Sequence, residues 1–268
     1  MTNVYFLGTG GAFSAGHRSN LALLIESGEF RMLVETGPVI MHQLTRTGIQ
    51  VMDIEHVFIS HAHGDHALGF PMFALNRLGI DASAPAFHVY ASAGAIASLK
   101  ALWEIAYTGF DIQRLNIHWH PLPDQESRQT RLTARIILQT APVPHPPNTP
   151  TLGARWDFED GPSIAFITDT YPNDTTVTLA QGCDLLIHEA SFSATLQPGY
   201  DANVHFHSTA QQAGEIARQA GAKRLALVHL GPMIGRHPDV LIEEARAGTD
   251  LEVFVLDDGG LLQIKKSG

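Results

Sequence analysis

His61-Ala62-His63-Gly64-Asp65-His66 follows the apolar run His56–Ser60 and precedes a stretch, Asp65–Leu78, whose apolar spacing reads as helical. The pattern predicts a strand, a tight turn at the sheet edge, and a helix. Four potential ligands within six positions cannot all face one ion, but such a turn aims His61 and His63 one way and Asp65 and His66 the other. Two adjacent cation sites follow. A solvated turn in which Asp65 caps the next helix explains one of these residues; it leaves three imidazoles stripped of water without compensation.

Outward from this turn the chain alternates strand-like and helix-like runs. Val4–Leu7, Leu21–Ile25 and Arg31–Val34 read as strands, Val39–Arg46 as a helix, Phe87–Tyr90 as an extended piece and Ala91–Tyr107 as a helix. Arg131–Thr140 and Ser163–Thr168 are strands of a β-rich middle. The last third returns to alternation: Asp184–His188, the helix Ser208–Ala220 with a capping-box start and Gly221 as its stop, Arg224–His229, the helix Asp239–Ala247, and strands Val253–Leu256 and Leu261–Ile264. Strands framed by helices in both halves predict two packed sheets with helices outside. The proline-rich Ala141–Pro150 reads as a rigid site loop rather than a linker, because strand continues on both sides and His145 sits within it. We expect one domain over residues 1–268, with two αβ halves meeting near residues 160–175.

His145, Asp169 and His229 each end a strand-like run, at the strand C-terminal edges where sheet proteins gather their sites. Each alone is weak; beside the cluster at 61–66 they become candidates for its remote ligands.

The cluster resembles the His-x-His-x-Asp-His pattern of the metallo-β-lactamase superfamily, and along nearly the whole chain the likeness is to its ribonuclease Z-like phosphodiesterases. Phe6-Leu7-Gly8-Thr9-Gly10, Arg18-Ser19-Asn20, Leu186-Ile187-His188-Glu189-Ala190-Ser191, His207-Ser208-Thr209-Ala210 and Arg224–His229 carry it. The resemblance implies an α/β fold, the αβ/βα four-layer sandwich of two mixed sheets with outer helices. It implies His61, His63 and His145 on one metal ion, Asp65, His66 and His229 on the other, and Asp169 bridging them. The cofactors it implies are two divalent ions, zinc first, with manganese or iron as alternatives. It sets His207 near the substrate, oriented by Glu189.

The chemistry implied is metal-assisted hydrolysis. Two ions roughly 3.5–4 Å apart ionise a shared water near neutral pH and polarise the bond attacked. Asp65 and Asp169 would fix that water, and His207 with Glu189 would steady an oxyanion or protonate the leaving alkoxide.

Transfer-RNA-processing relatives carry a protruding arm, which in bacterial forms lies between the positions of His145 and Asp169. Only Pro146–Thr168 lies between them here, and a strand takes up much of it. After His229 the family's Ser-x-Arg-Tyr reads Leu230-Gly231-Pro232-Met233, without the basic contact. Ala154 stands for a usual tyrosine, and Glu35 for the usual aspartate. With 17 basic against 27 acidic residues and a formal charge of −10, the overall field repels a polyanion. We therefore expect a small phosphodiester, with nucleic acid an unlikely partner. Arylsulfatase, lactonase or other ester hydrolysis on the same metal cage, and transfer-RNA 3′ processing, are the alternatives. A diiron redox protein ranks lower, since no flavin segment accompanies the site.

Other features carry less. His118-Trp119-His120 reads as structural, and His205-Phe206-His207 as imidazoles paired on one face of an extended segment. His17, His42, His56, His88 and His237 receive no role. Gly8–Phe13 lacks the third glycine of a dinucleotide fingerprint and reads as a turn bordering the site, and no Gly-x-Ser-x-Gly elbow occurs. The single cysteine, Cys183, excludes a disulfide framework and reads as inert packing. No apolar run reaches the roughly 18 residues of a membrane span. Met1–Gly8 enters a strand without a secretory leader, so the expected location is the cytoplasm, and the relatives suggest a homodimer.

Overall fold

The computed structural model describes residues 1–13, 17–78, 85–146 and 148–266. In order the elements are β1 (Thr2–Gly8), β2 (Ala22–Ser27), β3 (Phe30–Val34), α1 (Ile40–Thr47), β4 (His56–Phe58), α2 (Gly64–Ala67), α3 (Phe70–Leu78), β5 (Phe87–Ser92), α4 (Ala93–Ala106), β6 (Ile117–Leu122), β7 (Arg128–Thr133) and β8 (Ile136–Val143). They continue with β9 (Thr151–Phe158), β10 (Ser163–Ile167), α5 (Asp174–Ala180), β11 (Leu185–Glu189), α6 (Ala210–Ala220), β12 (Arg224–Val228), α7 (Pro238–Arg246), β13 (Glu252–Phe254) and β14 (Gly260–Ile264).

Two seven-stranded sheets form, ordered β14-β1-β2-β3-β4-β5-β6 and β13-β12-β11-β10-β9-β8-β7. Both are mixed, with β3 through β6 parallel in one and β10 through β13 parallel in the other. The alternation of side chains along each strand decides the layers. Val4, Phe6, Met32, Phe58, Trp156, Phe166 and Val228 fill the space between the sheets. Leu33, Val57, Val89, Phe73 and Trp103 pack one outer face under its helices, and Ala165, Leu186, Leu227, Ala213 and Ile216 pack the other. The result is the four-layer αβ/βα sandwich. No helix among the described residues is long and apolar enough to cross a membrane.

Two local expectations need correction, and one helix escapes the sequence pattern. The helix expected over Asp65–Leu78 breaks at Leu68–Gly69 into α2 and α3. The cause is packing: the Gly69 N–H leaves the helical pattern and donates to the Thr36 carbonyl in the loop after β3 at 2.8 Å, an approach only glycine allows, since a Cβ there would lie 2.1 Å from the Gly37 carbonyl oxygen. The single strand expected over Arg131–Thr140 is a hairpin, β7 and β8, that turns at Ala134–Arg135. The helix α5 was not anticipated, because Thr175-Thr176-Val177-Thr178 is a run of β-branched residues. It starts because Asn173 accepts a hydrogen bond from the Thr176 backbone N–H. Cys183 is buried, and burial pushes its thiol up to about 12, in keeping with inert packing.

His56, His88 and His118 share one register row across β4, β5 and β6, and His88 Nδ1 lies 2.9 Å from His120 Nε2. Burial, reinforced by His88 and His120, pushes His56 down to about 4. An unfolded histidine takes up its proton near pH 6.5. Between those values the unfolded chain binds more protons, so stability is lost as pH falls from 6.5 to 4. Unfolding free energies from urea melts across that interval should fall less steeply for His56→Phe than for the wild type, by on the order of 3 kcal/mol in total. Parallel slopes would remove His56 from the acid response.

Candidate metal centre

Seven side chains from four segments meet at one rim of the sandwich, beyond the C-terminal ends of four strands. The turn after β4 brings His61, His63, Asp65 and His66; the segment after β8 brings His145, that after β10 brings Asp169, and that after β12 brings His229. The backbone there is forced: Glu35, Asp169 and His229 adopt φ of 66°, 44° and 54°. Left-handed conformations of non-glycine residues persist only where surrounding contacts impose them, and they gather at functional sites. Among those contacts, the Thr36 N–H donates to the His66 carbonyl at 2.7 Å, and the Leu152 N–H to the Ser60 carbonyl at 3.1 Å. Leu230 and Thr9 join by another at 3.0 Å.

Ligand atoms of His61, His63, His145 and Asp169 lie within 4.8 Å of one another, as do those of Asp65, His66, Asp169 and His229. Asp169 serves both groups with different oxygens. Its Oδ2 lies 3.6 Å from His61 Nε2 and 3.9 Å from His145 Nε2, while its Oδ1 lies 3.5 Å from His66 Nε2 and 3.3 Å from His229 Nε2. Asp65 Oδ2 lies 3.1 Å from His66 Nε2 and 3.2 Å from His229 Nε2. Ligands held about 2 Å from one tetrahedral ion stand roughly 3.3 Å apart, which these separations match.

The donor set also behaves as a cation site. His61 Nε2, both ring nitrogens of His66 and His145 Nδ1 are buried without a hydrogen bond, a costly state that metal coordination relieves at the nitrogens facing the carboxylates. Burial drives His61 well below the usual histidine range, lowers His63 and brings His145 to about 4, so these rings are neutral as metal binding requires. Burial alone would raise Asp169, but the surrounding imidazoles hold its carboxyl well below the usual range. The residues present fit a pair of divalent ions.

Neighbours fix the rings. Ser60 Oγ sits 2.9 Å from His61 Nδ1, which turns Nε2 toward Asp169. Thr168 Oγ1 donates to Asp169 Oδ1 at 2.5 Å. Glu35, longer by a methylene than the aspartate expected there, still reaches: its Oε1 accepts from the Ser60 N–H at 3.1 Å and its Oε2 lies 3.5 Å from His66 Nδ1.

His207 stands beside the cluster, its ring 5.9 Å from that of His145 and 5.5 Å from that of His229. Its Nδ1 donates to Glu189 Oε1 at 2.9 Å. The expected pairing of His205 with His207 on one extended face does not occur. Residues Ala202–His205 form a 3-10 turn and Phe206 is left-handed, so His205 stacks on Tyr200 while His207 turns to Glu189. His118 and His120 stack against His88 and stay out of the centre. Sequence reasoning assigned no part to Ser60, Thr168 or Ser191, whose hydroxyls meet the ligand side chains; Ser191 lay within a quoted motif, and only the fold reveals its contacts.

A family model described as anti-Pycsar protein Apyc1 matches residues 2–234. The chain belongs to the Apyc1 family. Ribonuclease Z of Halorubrum lacusprofundi is 29% identical to it over 97% of this chain and 96% of its own length. Among solved structures, the short form of human tRNase Z superposes with a TM-score of 0.77 at 25% identity, covering 98% of this chain and 99% of that one. YhfI of Bacillus subtilis, a metallo-β-lactamase fold protein, does so with a TM-score of 0.80 at 20% identity, covering 97% and 98%. This Apyc1 family member is thus a metal-dependent hydrolase, similar in sequence to ribonuclease Z and with a metallo-β-lactamase-type fold.

Proposed function

We propose that this chain is a two-metal phosphodiesterase that hydrolyses a small phosphodiester rather than precursor transfer RNA, with zinc its native metal. The observation that carries this reading is the cavity beside the metal centre. It measures about 550 Å³ and is bordered by His207, His229, Phe192, Tyr200, His205 and Met233. That volume suits a small molecule. None of the described residues lining it is lysine or arginine, the side chains a polyanionic strand needs along its backbone. Arg18, a basic residue of the quoted motifs, is buried and committed to Thr9, Gly235, Leu256 and Asp257. Strands β9 and β10 take up most of the chain between His145 and Asp169, in support of the missing arm.

On this reading His61, His63 and His145 would hold one ion, Asp65, His66 and His229 the second, and Asp169 would contribute to both. Two divalent ions there would let water ionise near neutral pH and would offset charge on phosphoryl oxygens. Asp65 and Asp169 would fix the attacking water, whose lost proton passes to solvent. As the water oxygen bonds to phosphorus and the ester P–O bond breaks, the leaving alkoxide needs a proton. His207 is built to give it: its Nδ1 is held by Glu189, leaving Nε2 for the cavity. Burial disfavours the imidazolium, but the Glu189 carboxylate overrides it and pushes His207 up to about 9, so the ring carries its proton at neutral pH.

A panel of bis(p-nitrophenyl) phosphate, an aryl sulfate, a lactone and precursor transfer RNA, run on wild type and His63→Ala, tests the reading. We expect phosphodiester turnover by the wild type, its loss in the variant, and no processing of the RNA. Efficient RNA cleavage, or preference for the sulfate or lactone, would overturn the substrate assignment; equal rates for the two proteins would overturn the metal assignment.

A further inference from the structure

Glu189 has no exposure to solvent and accepts four hydrogen bonds. On Oε1 the donors are the Thr170 N–H and His207 Nδ1, each at 2.9 Å. On Oε2 they are the Ser191 N–H at 3.1 Å and the Ser191 hydroxyl at 2.6 Å. The same hydroxyl oxygen lies 2.8 Å from His229 Nδ1.

A serine hydroxyl has one proton to give. The short contact to a carboxylate that can only accept assigns that proton to Glu189. The Ser191 oxygen is then left as an acceptor, and His229 Nδ1 must be the donor to it. With Nδ1 protonated, His229 presents an unprotonated Nε2 toward Asp65 and Asp169, the tautomer a metal ligand needs. Among the described residues Ser191 is the hydrogen-bond partner of His229 Nδ1. His229 is 3% exposed, and on the side of Gly11 the space by its Nδ1 and Cε1 is so tight that a Cβ there would approach to 3.0 Å.

We infer that Ser191 is a positioning residue, through which the one buried carboxylate that orients His207 also fixes the tautomer and direction of His229. The inference rests on the two-metal reading above. It gives Glu189 two duties through its two oxygens: direct contact with the group that faces substrate, and contact through Ser191 with a ligand of the second ion. Partners of this kind, which hold a ligating histidine by its other nitrogen, alter metal affinity by roughly 10- to 100-fold when removed.

The test is competition for zinc between a chromophoric chelator and the wild-type, Ser191→Ala and Ser191→Thr proteins, each loaded with two equivalents. We expect the wild type to hold two ions. Ser191→Ala should give up one of them at roughly 10- to 100-fold lower chelator concentration while holding the other as the wild type does. Ser191→Thr, which keeps an oxygen at the same position, should stay within roughly three-fold of the wild type. Unchanged release from Ser191→Ala overturns the inference and leaves the two-metal reading intact. Equal weakening in the alanine and threonine variants also overturns it, since that reports packing rather than the hydroxyl. A wild type that holds fewer than two ions overturns the reading on which it rests.

Discussion

Asp169→Ala should lower phosphodiester hydrolysis by on the order of 10³-fold or more and abolish the rise in thermal midpoint that zinc gives the wild type. Asp169 is buried at the end of β10, with one oxygen toward each group of imidazoles. Among the described residues no other carboxylate belongs to the group of His61, His63 and His145, so that group loses its anionic member. A factor of 10³ corresponds to about 4 kcal/mol of transition-state stabilisation, within what a misassembled two-metal site forfeits. Ligand binding stabilises the folded state in proportion to the logarithm of ligand over dissociation constant. A protein that no longer binds zinc gains nothing from it. Melting curves with and without zinc, together with metal content per chain, separate this from simple unfolding. Two retained ions and an undiminished rate would show that Asp169 does not span the centre.

The parts of this centre legible in the sequence were those carried by local chemistry. The turn at positions 61–66 announces itself because hydration of three imidazoles and a carboxylate is given up within one tight loop. Asp169 and His229 are weaker signals, yet each directly follows a strand and so had to emerge at the sheet rim. Errors came where tertiary packing overrides local pattern. The apolar spacing of Asp65–Leu78 suits one helix, but the Gly69 N–H is taken by the Thr36 carbonyl of a distant loop, which interrupts it. The β7–β8 hairpin turns on Ala134 and Arg135 without glycine, proline or asparagine to mark it. The extended pairing expected of His205 and His207 failed at Phe206, whose left-handed φ of 60° gives no sign in its residue type. The link from Ser191 to His229 joins residues 38 positions apart, so nothing local to either carries it.

His207→Ala should separate the proposed proton donor from the proposed metal site. His207 lies outside both four-residue groups around Asp169, so the variant should keep two ions per chain while kcat falls roughly 10²- to 10⁴-fold, the range for loss of a general acid. The size of the fall should depend on the leaving group. p-Nitrophenolate departs with little need of a proton, whereas an alkoxide must receive one as the P–O bond breaks. Two phosphodiesters that differ in the leaving group therefore read the role directly: the variant loses least with the nitrophenyl ester and most with the alkyl ester. An equal loss on both would mean that His207 acts on a phosphoryl oxygen, whose charge develops whichever group departs. Loss of one ion along with activity would instead make His207 part of the metal site, and Glu189 the carboxylate that aims it there.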